Sequence, residues 1–127
     1  MNEANAKQAT TVAPEVARLA RNGWIAYLLN MLLVPGLGFV ALVWLYWSAP
    51  EHNAEFALRH LRSALYASLA AVLGLLLLPA LLWLALDERQ GAMVGLILWG
   101  VSWHGALVLW GVLNLSLSVS DKAPKWG

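Results

Sequence analysis

The sequence predicts an all-α, integral membrane fold with three transmembrane helices and short interfacial helices, on three observations. Apolar runs at about 24–47, 58–86 and 92–119 each reach the ~20 residues that a spanning helix needs. No Asp, Glu, Lys or Arg lies within 24–47, 63–86 or 92–120. The 127-residue chain is 61% hydrophobic and 12% charged, against ~45–50% apolar and ~25% charged residues in soluble domains. One transmembrane domain (22–120) is therefore expected between a polar segment (1–21) and a short polar tail (121–127).

Taken in order, the N-terminal segment is too polar, and the first apolar run too long, for a secretory signal. Thr11 and Pro14 suit a helix start. Val12, Val16 and Leu19 then share a face, which reads as a small interfacial helix ended by a break at Asn22-Gly23. The first span carries Trp24 and Tyr27 at one end and Trp44, Tyr46 and Trp47 at the other, like two aromatic belts. Pro35, Gly36 and Gly38 in its middle predict a kink. Ser48 and Pro50 suit the start of the next helix, where Glu55 and Arg59 form an i,i+4 pair. Ala64, Ser68 and Ala71 form a small-residue stripe on the second span, and Pro79 is expected to bend its far end.

Residues 87–91 form a polar turn. On the third span Gly91, Gly95, Ser102, Gly105 and Ala106 lie along one side and read as a packing seam. Trp99, Trp103 and Trp110 make a second stripe, expected to face lipid or to form a flat wall against another subunit or a pigment. Asn114 suits an interhelical hydrogen bond. Three spans place Lys7, Arg18, Arg21 and Arg89 on one side and Arg59, Arg62, Lys122 and Lys125 on the other, a tie of four each. Lysine and arginine counts decide topology, so orientation is left open.

Chemistry is sparse. The absence of cysteine excludes disulfides and thiolate metal or cluster sites. A net charge of +1 gives no case for nucleic acid. His104 lies near the centre of the third span, where polar side chains are rare. Gly100 and Gly111 lie on nearly the same face, so a flat notch for a haem- or chlorophyll-type tetrapyrrole with His104 as axial ligand is one reading. A neutral His104 hydrogen-bonded inside the protein is the other. Ser102 and His104 are two apart and point to opposite sides of a helix, which gives no hydrolase. His52 and Glu55 supply at most two metal ligands, which is not a site.

Residues 33–65 carry a recognisable pattern: Pro35-Gly36-Leu37-Gly38, then Trp44-Leu45, then Phe56, His60 and Ala64-Leu65 at four-residue steps. This resembles the Tic-twenty-like family of small bacterial membrane proteins of unknown function, relatives of a chloroplast inner-envelope import component. The family commonly continues with Asn and Gln, where this chain has Tyr66, Ala67 and Ser68. The resemblance implies a helical membrane protein acting as an accessory or translocon-like component, and carries over no catalytic residue.

Phe56 and His60 are expected to dock the connecting helix at the bundle end. Trp24, Trp47, Arg59 and Arg62 are expected at the lipid interface. The expected function is that of a non-catalytic accessory or assembly subunit of a bacterial inner-membrane complex, packing against other subunits or itself. The alternatives are a cofactor-binding subunit using His104 and a small homo-oligomeric channel or transporter.

Overall fold

A computed structural model describes residues 12–33, 36–50 and 54–125. All regular structure among them is helical: α1 (Pro14–Leu32), α2 (Leu37–Trp47), α3 (Glu55–Ala85) and α4 (Arg89–Val119). Two of these, α3 and α4, are long and apolar enough to cross a membrane, at 31 residues each. At 1.5 Å per residue each is ~46 Å long.

The expected first span does not form. Residues 24–47 belong to two helices that fold back on one another. A Cβ on Gly38 would stand 2.4 Å from the Asn30 Cβ and 2.5 Å from the Ala26 carbonyl oxygen, and one on Gly23 would meet Leu42 at 3.8 Å. A continuous helix would hold residues 23 and 42 ~28 Å apart.

The reversal is local chemistry. Gly36 has φ 96°, a conformation strained for any residue with a Cβ. The Asn30 Oδ1 accepts the backbone N–H groups of Gly36 (2.8 Å) and Phe39 (3.2 Å). These belong to the start of α2, whose first N–H groups have no partner within the helix. Gly38 then lets the two backbones approach closely. Pro35, the expected cause of a kink, lies outside the described residues, as do Thr11, His52 and Trp126.

The reading of 12–21 as a separate interfacial helix is also corrected. Pro14 does occupy the first turn, but α1 runs through Asn22-Gly23 without a break. Gly23 works there by its size: a Cβ would lie 2.5 Å from Leu61 of α3. Among the described residues, Ser48 caps no following helix. It ends α2, with its hydroxyl on the Trp44 carbonyl, and α3 begins at Glu55 behind Ala54. Trp24, Tyr27, Leu42, Leu61 and Ala64 form the core between α1, α2 and α3. The belt residues Trp24 and Tyr27 are completely buried, whereas Trp44 and Trp47 are exposed.

Pro79 does not simply bend α3. It follows a π-helical turn at Leu73–Leu77, in which the Leu78 N–H bonds the Leu73 carbonyl. In that i→i+5 register the donor for the Gly74 carbonyl would be residue 79, and proline has none. The polar turn before α4 is tighter than 87–91, since α4 already starts at Arg89.

The end of α4 closes with Asp121 at φ 54°. The Asp121 N–H bonds the Ser118 carbonyl and the Lys122 N–H the Leu117 carbonyl, which is the Schellman arrangement. It turns residues 122–125 back over the start of α3. Because α2 returns, the start of α1, the end of α2, the start of α3 and the end of α4 share one end of the molecule. Val16 and Ala20 pack against Ala57 there.

Candidate functional site

Three polar constellations stand out in an otherwise apolar bundle. At the shared end, His60 ties three segments together. The Trp24 Nε1–H donates to its Nδ1 at 2.8 Å, and its Nε2 lies 2.9 Å from the Lys122 carbonyl oxygen. An indole nitrogen only donates. The His60 Nδ1 is therefore the acceptor, the proton sits on Nε2, and the ring is neutral. Phe56 meets the same ring edge-on, with centroids 4.7 Å apart. Beside it, the Ser63 hydroxyl donates to the Lys125 carbonyl (3.0 Å) and the Lys125 N–H donates to the Asn114 Oδ1 (2.8 Å).

At the π turn, Trp99 and Trp103 stack with centroids 5.3 Å apart. The Trp99 Nε1–H donates to the Gly74 carbonyl at 2.8 Å, and the Trp103 Nε1–H to the Ala70 carbonyl at 3.3 Å. Trp99 thus replaces the donor that Pro79 cannot supply. A Cβ on Gly74 would lie 2.0 Å from the Trp103 indole nitrogen, so only glycine leaves room for that ring.

The third constellation is a cavity of about 490 Å³ between the α1–α2 turn and the middle of α3 and α4, open at one side. Its walls are apolar apart from Asn30, Ser68 and His104. Ser68 is buried, and its hydroxyl has no hydrogen-bond partner among the described residues. A second groove, of about 320 Å³, runs between α3 and α4 past Tyr66, Ala106 and Trp110.

The residues singled out in the sequence fall as follows. Ala64, Ser68 and Ala71 are buried between helices. Gly91, Gly95, Ser102 and Ala106 are exposed and Gly105 is half-buried. A Cβ on Gly95 or Gly105 would meet nothing within 4 Å, so this side of α4 is not the seam used within the chain. The face used instead is Leu107, Gly111, Asn114 and Ser118.

His104 is half-buried and lines the cavity. Gly100 is open, but Gly111 lies under the Tyr27 ring, 2.6 Å from where its Cβ would be. Residues 100, 104 and 111 therefore do not form one flat notch. Trp24 and His60, expected at an interface, are completely buried, while Trp47, Arg59 and Arg62 are exposed. The Trp99–Trp103 pair is anchored on α3, whose backbone accepts both of its N–H groups. Asn114 pairs with the folded-back tail and with the Trp110 carbonyl.

Sequence reading missed Asn30, and placed Tyr27 in an aromatic belt rather than in the core. An Asn six residues before Gly36 inside an apolar run was the available signal for the reversal. The Tyr27 hydroxyl donates to the Leu107 carbonyl (3.0 Å), across a distance in sequence that no local pattern reveals. Among the described residues no three His, Asp or Glu side chains come together to hold a metal ion. Compared with family models, curated proteins and solved structures, the chain has no significant match in any of the three.

Proposed function

We propose that this chain is a multi-pass protein of a bacterial inner (cytoplasmic) membrane, serving as a non-catalytic accessory or assembly subunit of a membrane protein complex. The observation that carries the reading is the surface of α4. Only Leu107, Gly111, Asn114 and Ser118 of this helix are buried. Its outer surface alternates bulky Val94, Leu98 and Val101 with the small Gly91, Gly95 and Ser102, all exposed. Bulky apolar surface of this kind suits acyl chains. Small residues let a second helix approach closely enough to gain van der Waals contact, which is how helices associate in lipid. The resemblance of residues 33–65 to the Tic-twenty-like proteins fits the same reading.

The folded-back hairpin also supports an orientation. Arg18, Arg21, Arg59, Arg62, Lys122 and Lys125 gather at the shared end, and Arg89 stands at the other beside Asp87 and Glu88. Among the described residues, six cations against one favour the shared end as the cytoplasmic side. The tie counted for three spans disappears because α2 returns the chain to its starting side.

Purification in mild detergent from the native membrane tests the assignment. Discrete partner subunits, or a stable homo-oligomer, are expected. Gly95→Leu together with Gly105→Leu should release the partner without changing the thermal midpoint of the isolated chain. A partner-free monomer from native membranes, insensitive to both substitutions, contradicts the reading.

A further inference from the structure

We propose that the cleft between the start of α1 and the end of α4 binds the phosphate of an anionic phospholipid, with Arg18 and Arg21 on its oxygens and its acyl chains running inward along Ile25 and Val112. The proposal rests on the membrane placement above and takes nothing from the accessory-subunit reading.

Charge is the first reason. The cleft, of about 280 Å³, is lined by Pro14, Ala17, Arg18 and Arg21 of α1 and by Ser118 and Val119 of α4. Arg18 and Arg21 are three residues apart, so they share a helix face and repel one another there. Among the described residues the one ion pair is Arg59 with Glu55. Neither Glu15, three residues before Arg18, nor Asp121, just beyond α4, therefore pairs with them. The backbone adds charge of the same sign. No side chain caps the start of α1, and the first N–H groups of a helix form its positive end. That start, at Pro14, is itself part of the cleft wall. An anion held between the two guanidinium groups offsets all of this.

The donor set selects the anion. A guanidinium binds oxyanions through paired, parallel N–H bonds. Two such forks beside a helix start offer more N–H groups than the two oxygens of one carboxylate can meet. A phosphodiester has four oxygens on one centre.

Depth selects the source. The 31 residues of α4 make a rod ~46 Å long. Centred in the bilayer, it passes ~8 Å beyond a ~30 Å hydrocarbon layer at each end. Val119, its last residue, is then among the headgroups, where lipid phosphates lie. The surface leading inward from the cleft is apolar. Ile25 follows Arg21 by one turn and Val112 precedes Val119 by two, so each stays on the cleft side of its helix, and both are exposed. A soluble phosphate has no use for that surface, whereas acyl chains cover it. Basic pockets between helices at the cytoplasmic side suit anionic headgroups.

The test uses the full chain in mild detergent, titrated separately with phosphatidylglycerol, phosphatidylcholine, palmitate and glycerol 3-phosphate. Binding is read by native mass spectrometry and as thermal stabilisation. Saturable binding of one phosphatidylglycerol is expected, with at least about tenfold weaker binding of the other three. Arg18→Gln and Arg21→Gln should each weaken it about tenfold. Lys122→Gln removes the same charge from the same end but outside the cleft, and should leave binding within about twofold. Arg18 and Arg21 are exposed, so the lipid-free thermal midpoint should stay put in both variants. Arg18→Lys with Arg21→Lys keeps the charge but loses the forks, and should still weaken binding several-fold.

Equal binding of phosphatidylcholine or palmitate overturns the proposal. So does glycerol 3-phosphate binding as tightly as the lipid, which would make the site one for a soluble anion. An equal loss in Lys122→Gln, or none in the arginine variants, would reduce the cleft to diffuse attraction by a basic end. Carbonate extraction of the same protein from membranes separates the two failures. Release by carbonate sinks the membrane placement, and retention confines a negative result to the cleft.

Discussion

His60 shows how one side chain can hold a chain end. Its two nitrogens engage Trp24 of α1 and the Lys122 carbonyl of the tail, so one neutral ring satisfies a buried donor and a part-buried acceptor. Removing it leaves both without partners. His60→Ala should destabilise the fold by about 3 kcal/mol, combining two unsatisfied groups with a small void. Trp24→Phe, which leaves only the His60 Nδ1 unpaired, should have roughly half that effect. Thermal unfolding in detergent measures both, and limited proteolysis should find the tail released in His60→Ala. An unchanged midpoint and an intact tail would refute the clamp. In the sequence, His60 and Phe56 were legible as a docking pair because they stand one turn apart at the start of an apolar run. Their partners were not legible: Trp24 looks like any interfacial tryptophan until tertiary packing buries it, and Lys122 takes part only through its backbone.

At the scale of elements, the sequence was read well where hydropathy alone decides and badly where backbone geometry does. The long apolar runs of α3 and α4 appear as helices because nothing in them competes with helix. The run at 24–47 has the same hydropathy, but Asn30, Gly36 and Gly38 divide it. A length-and-polarity reading has no means of telling a kinked span from a hairpin, since both require the same residues. The π turn was invisible for a related reason. Its register depends on Pro79 below and on Trp99 from another helix, whose N–H serves the Gly74 carbonyl that proline cannot. Trp99→Phe should therefore destabilise the protein by about 1–2 kcal/mol. In a Pro79→Ala background, where an N–H returns to position 79, the same change should have a smaller effect. A double-mutant cycle on unfolding free energies checks this. Additive effects, with no coupling above ~0.5 kcal/mol, would separate the two features.

The whole molecule depends on the hairpin. If α1 and α2 together return to their starting side, the chain has two candidate spans, a cytoplasmic basic end and a cavity walled on one side by Asn30, Met31 and Phe39. If 24–47 crosses instead, the basic residues divide evenly and the cavity loses the wall that carries Asn30. The chain contains no cysteine, so single cysteines report without background. Ala13→Cys, Ser48→Cys, Asp87→Cys and Ala123→Cys variants, labelled in sealed inner-membrane vesicles of known sidedness with an impermeant maleimide, address the question directly. The hairpin predicts that positions 13, 48 and 123 react from the cytoplasmic face and position 87 from the opposite one. Position 48 sharing the side of 123 while 13 shares the side of 87 would contradict it.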